Sequence, residues 1–108
     1  MPDTPILNLL RDPGHWTKFA MARSNEKHLV SPTTPAATCW CLLGAVQKIA
    51  PNDLVRRKQL CAIIAYAIVT EFPSTQRCSA DELTCSMFND AALTTHNDII
   101  RVLTRANV

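Results

Sequence analysis

The stretch Ala37 to Ala50, centred on Thr38-Cys39-Trp40-Cys41-Leu42-Leu43-Gly44-Ala45, concentrates apolar mass, two thiols and the one interior glycine of the chain. Thr38 can serve as an N-cap and no proline interrupts the run before Pro51, so the pattern predicts a helix of about three turns. Leu42, Leu43, Val46, Ile49 and Ala50 share one side, and Trp40, Ala36 and Ala37 widen the apolar arc beyond a single stripe. A wide arc implies neighbours on more than one side, so this is expected to be the buried central helix. Gly44 costs roughly 1 kcal/mol relative to alanine in an exposed helix, so its place here implies close approach of another backbone or of a ring such as Trp16 or Phe88.

The rest of the chain reads as helices arranged around that segment. Thr4-Pro5 opens a short helix carrying Ile6, Leu7, Leu9 and Leu10, which Asp12-Pro13-Gly14 ends. A second short helix, His15 to Ala22, would turn Trp16, Phe19 and Ala20 towards the core. From Arg23 to Pro35 periodicity is lost, and a loop of that length is uncommon in a small domain unless it binds something or pairs as a short hairpin. Asn52 is read as the cap of the longest helix, running to Phe72. Ser79 and Glu82 form the pattern of a capping box for a helix through Met87, Phe88-Asn89-Asp90 follows as a turn, and Thr95 with Asp98 opens the last helix. Hydrophobic residues make up 47% of the chain and aromatics only 6%. That balance favours an aliphatic core between helices, so the expected fold is all-α, one domain over residues 1–108 with about five or six helices.

Charge and cysteine content narrow the function. A net charge of +2 is too small to point to direct nucleic-acid binding and not acidic enough for a DNA mimic. The five cysteines are an odd number and the chain opens Met1-Pro2-Asp3 without a signal-like core, which leads to the expectation of a reduced, cytoplasmic protein. The apolar run from Leu60 to Val69 is half the length that a bilayer requires, so no membrane partner is expected. Self-association stays open.

Chemistry-bearing residues are sparse. Cys39 and Cys41 sit near the start of the expected central helix, where the macrodipole favours a thiolate, and a Cys41 nucleophile with His96 as base and Asp90 as orienter would make a cysteine-dependent hydrolase or transferase. His15 and His28 are other possible bases. Strands that usually carry such a histidine are not evident in the pattern, and small buried thiols filling helix contacts explain the same residues. The one-residue gap between Cys39 and Cys41 does not match zinc spacing, and Cys61, Cys78 and Cys85 supply no second pair, so no metal or cofactor is expected. Asn89 and Asp90 are read as bonding to free backbone N–H groups at a turn and a helix start.

Trp16 with Ala20 and Ala22, Cys41-Leu42-Leu43-Gly44-Ala45, and Phe88-Asn89-Asp90 followed by Thr95 occur in an order that resembles a family of small bacteriophage and bacterial proteins of unknown function. The resemblance spans about Gly14 to Ala106 and departs from the pattern at Phe88, where tryptophan is usual. It implies a helical fold and a phage context, in which small accessory proteins bind host factors, anti-CRISPR and other anti-defence proteins among them. The expected function is therefore a non-enzymatic binding module for a host protein. Its contact residues would be Arg23, Lys27 and His28 on the loop and Arg56 and Arg57 on the long helix.

Overall fold

The computed structural model describes residues 3–108, so the reading of the Met1-Pro2 start lies outside the described residues. Among the described residues, five α-helices surround one apolar core: α1 (Pro5–Leu10), α2 (Leu42–Ile49), α3 (Leu54–Glu71), α4 (Asp81–Asp90) and α5 (His96–Ala106). Two short strands, β1 (Ala22–Ser24) and β2 (Ala37–Trp40), pair antiparallel, with Ala22 opposite Trp40 and Arg23 opposite Cys39. The fold is mixed α/β, which corrects the all-α expectation.

The correction has a local cause. A continuous apolar run such as Ala37 to Cys41 satisfies a buried strand as well as a buried helix, and periodicity does not separate the two. Here Thr38 lies in β2 and donates its hydroxyl to Arg23 O. Trp40 finds an acceptor for its indole N–H in Pro32 O at 2.9 Å, a bond that fixes β2 against the preceding loop. The helix begins only at Leu42, capped by Cys41, whose extended backbone (φ −81°, ψ 179°) passes directly from strand to helix.

The sheet is widened at both edges. Thr17 N–H donates to Trp40 O and Trp16 forms an isolated bridge with Trp40. On the other side the chain reverses after Ser24 through Lys27, whose φ is 68°, and His28 to Val30 return along β1 through Ser24 N–H to His28 O and Val30 N–H to Ala22 O. Of the two alternatives for the long loop, its first half takes the short hairpin. The expected helix from His15 to Ala22 is absent: a single 3-10 turn, Pro13–His15, leads into irregular chain that bends through residues 18–21.

Ile64, Ile68, Leu60, Ile99, Val102 and Leu103 form the centre of the core, contributed by α3 and α5. α1 closes its lower edge, with Ile6 N–H donating to Val108 O at 2.8 Å. Asp53 rather than Asn52 caps α3 by accepting from Arg56 N–H. Ser79 and Glu82 form no capping box, since Ala80 is the residue before α4. Asn89 and Asp90 occupy the last turn of that helix, not a free turn, because Phe88 stays buried against Phe72 and carries the helix one turn further.

Candidate functional site

The end of α4 and the beginning of α2 meet at Asn89, which is fully buried. Its Oδ1 accepts from the Trp16 indole N–H at 2.7 Å and from Leu42 N–H, the first amide of α2, at 3.1 Å. Its Nδ2 donates to Thr17 O at 3.1 Å and to Asp90 Oδ1 at 3.0 Å. A buried carboxamide has two donors and an acceptor oxygen with two lone pairs, and here all four positions are filled. Asp90 extends the network by accepting from Phe19 N–H at 2.9 Å. Lys18 adds a bond to Ala91 O at 2.6 Å while its ammonium lies over the Trp16 ring.

Four of these bonds, from Trp16, Thr17, Lys18 and Phe19, hold residues 16–19 against the end of α4. Their joint effect appears at Phe19, whose φ of 63° places a bulky aromatic residue in the left-handed region. Such a conformation is uncommon outside Gly, Asn and Asp and persists only where surrounding contacts impose it. The ring is turned outward rather than docked on the core, with 71% of the residue exposed, which corrects the inward placement expected from the sequence. The segment's backbone is anchored while the Phe19 ring faces solvent.

Beside Phe19 lies a surface cleft of about 380 Å³ lined by Met21, Cys41, Leu43, Ser86 and Asp90. A second cleft of about 190 Å³ shares Met21 and Leu43 as walls and continues to Leu54, Arg57 and Lys58. Phe19, Met21 and Leu54 are all solvent-exposed apolar residues, so the two adjoining clefts make an apolar trough with Asp90 at one end and Arg57, Lys58 and Glu82 at the other. A hollow of about 430 Å³ between Phe72, Met87 and Leu93 is larger, but Asp98, its titratable group, belongs to the α5 capping box.

Cys41 is buried, and its Sγ accepts from Gly44 N–H at 3.3 Å as the N-cap of α2. Burial raises its thiol above the ordinary value, with the Asp90 carboxylate acting in the same direction against the local N–H donors. No histidine lines its cleft. His96 faces another way, its Nε2 within 2.7 Å of Leu10 O and its ring 6.1 Å from that of Trp16. The structure therefore brings Cys41 and Asp90 together and leaves His96 apart.

The basic residues divide similarly. Arg23 donates to Lys27 O inside the hairpin, and Arg57 donates to Ala50 O and Pro51 O beyond the end of α2. Lys27, His28 and Arg56 remain exposed but line neither cleft of the trough. Gly44 sits where α2 crosses the backbone of Met21, and Thr95 caps α5 in a capping box with Asp98. Sequence reasoning missed Phe19 and Met21 as surface residues; nothing in Lys18-Phe19-Ala20-Met21 signals a positive φ at a phenylalanine. Among the described residues, no three His, Cys, Asp or Glu side chains cluster closely enough to hold a metal ion.

Fold and site together define a small mixed α/β domain in which one buried asparagine knits strand, helix and an exposed aromatic segment. Residues 6–107 match the family of unknown function DUF6197, and the chain belongs to that family. No curated protein and no solved structure matches it.

Proposed function

We propose that the chain is a non-enzymatic binding module, of the kind phages carry as accessory proteins, that docks on a host protein through the trough beside Phe19. The observation that carries this reading is the strained, outward Phe19, held by Asp90 next to an apolar trough. Strain of this kind clusters at ligand clamps, and aromatic side chains are the commonest anchors of protein interfaces. The apolar floor suits burial against a partner side chain, while Arg57, Lys58 and Asp90 supply polar ends. Support for the cysteine-hydrolase alternative is weaker, since the Cys41 thiol is raised by burial and serves as a helix cap. Inhibition or redirection of a host defence factor is the form of action that the phage context favours.

Phe19→Gly tests the reading, because glycine accepts the backbone conformation and removes only the ring. The variant should melt within about 1 kcal/mol of the parent, yet fail to recover the stoichiometric host protein that the parent captures from bacterial lysate. Equal recovery by both proteins would rule out Phe19 as the anchor.

A further inference from the structure

Helices α3 and α4 meet across two thiols. Cys61 and Cys85 are only 3% and 0% exposed, and both are free. Cys85 Sγ donates to Cys61 O at 3.6 Å, which sets the two residues side by side across the helix contact. A pair sealed on every side would be inert, since oxidation follows access and thiolate character. This pair is not sealed: Cys61 lines the 190 Å³ cleft with Met21, Leu43, Arg57, Lys58 and Glu82. A water molecule occupies about 30 Å³ of liquid, so the cleft admits a molecule of a few heavy atoms.

We propose that Cys61 and Cys85 form a hydroperoxide-responsive thiol pair, in which Cys61 attacks the oxidant entering through this cleft and Cys85 resolves the product into a disulfide joining α3 to α4. The pair opens into the cleft that forms one half of the proposed docking trough, but its reaction needs no docked partner and belongs to the chain on its own. The two thiols are chemically unequal. The neighbouring Cys85 thiol lowers Cys61 from its ordinary value, with Arg57 contributing in the same direction against burial, Glu82 and Asp81. The neighbouring Cys61 thiol and its own burial both raise Cys85. Position sets the order: Cys61 lines the cleft and is the attacking sulfur, whereas Cys85 lies fully buried behind it as the reserve.

In the first step the Cys61 thiolate attacks one peroxide oxygen, the O–O bond breaks, and the departing hydroxide takes a proton from solvent to leave as water. Cys61 is then a sulfenic acid. In the second step the Cys85 sulfur attacks Cys61 Sγ, the S–O bond breaks, and the hydroxide released combines with the Cys85 proton. One peroxide is reduced by two electrons to two waters, and the two thiols are oxidised to one disulfide. A small dithiol would reverse the change.

The test uses the whole reduced chain, folded, exposed to stoichiometric hydrogen peroxide, then denatured, alkylated and cut with trypsin. Cleavage at Arg77 separates the two cysteines, so the expected product is a crosslinked peptide pair lighter by two hydrogens than its thiols, assigned to Cys61 and Cys85 by fragmentation. Cys39 and Cys41 should stay alkylatable. In Cys85→Ala the resolving sulfur is lost, and Cys61 should be trapped by dimedone as a sulfenic acid. Full alkylation of Cys61 and Cys85 in the peroxide-treated parent, or pairing of Cys61 with Cys78 instead, would overturn the proposal.

Discussion

Of the two glycines, Gly44 carries the tighter steric requirement. A Cβ built on it would overlap the Met21 carbonyl oxygen and press on the Met21 carbonyl carbon at 2.8 Å. That oxygen cannot retreat freely, because it accepts from Cys41 N–H and so ties the segment before β1 to the end of β2. The neighbour is backbone rather than a flexible side chain, so even one added methyl must separate α2 from this crossing. Gly44→Ala should therefore lower stability by about 3 kcal/mol, at the upper end of ordinary overpacking. A urea midpoint equal to the parent's would show that the crossing gives way. The sequence exposed the need for close approach at Gly44, though not that a backbone rather than a ring makes it, since a glycine records space and not its occupant.

At the scale of elements, legibility follows periodicity and capping chemistry. α5 was readable because Thr95 and Asp98 satisfy each other's backbone N–H groups and Ile99 and Leu103 repeat on one buried face. Replacing Thr95 with alanine should remove about 1 kcal/mol, the effect typical of an N-cap, and a thermal melt of the variant measures it. α3 was equally readable from its length and apolar spacing. β1 was not, because three residues are too few to display alternation and its partner is fifteen residues downstream across two prolines. β2 was hidden for the opposite reason: with Ala37, Cys39 and Trp40 buried, the run is apolar nearly throughout and merges with α2. The candidate site was half legible. Asn89 and Asp90 were identified as ligands of backbone N–H groups, but their targets, Leu42 and Phe19, are 47 and 71 residues away, and local sequence carries no sign of such partners.

For the molecule as a whole, the buried thiols link stability to alkaline pH. Burial raises Cys41 above its ordinary value of 9.0, so above that pH the unfolded chain releases this proton while the folded chain retains it. The unfolded state then binds fewer protons, and unfolding free energy falls as pH rises. Cys85 acts in the same direction and Cys61 opposes it. Cys41→Ser isolates the first contribution: serine is a favoured N-cap and has no proton to lose in this range, so the variant should match the parent within about 1 kcal/mol at pH 7. Between pH 8 and 10 its denaturation midpoint should decline less steeply than the parent's, and parallel profiles would exclude Cys41 as a source of the alkaline loss.

The Asn89 knot also bears on the order in which the chain folds. Its bonds close loops of 73 residues to Trp16, 72 to Thr17 and 47 to Leu42, whereas the helices can form from neighbours in sequence. Contacts across such separations carry the loop-closure entropy last and are expected on the native side of the folding barrier. Asn89→Ala leaves the Trp16 indole and the Leu42 amide without their buried acceptor, a loss of about 2–3 kcal/mol. If the knot ties after the barrier, nearly all of that loss falls on the reverse reaction: unfolding accelerates by roughly a hundredfold while the refolding rate stays close to the parent's. Stopped-flow fluorescence reads both limbs, and because the Trp16 indole is itself a strand of the knot, its emission should report the moment the chain is tied.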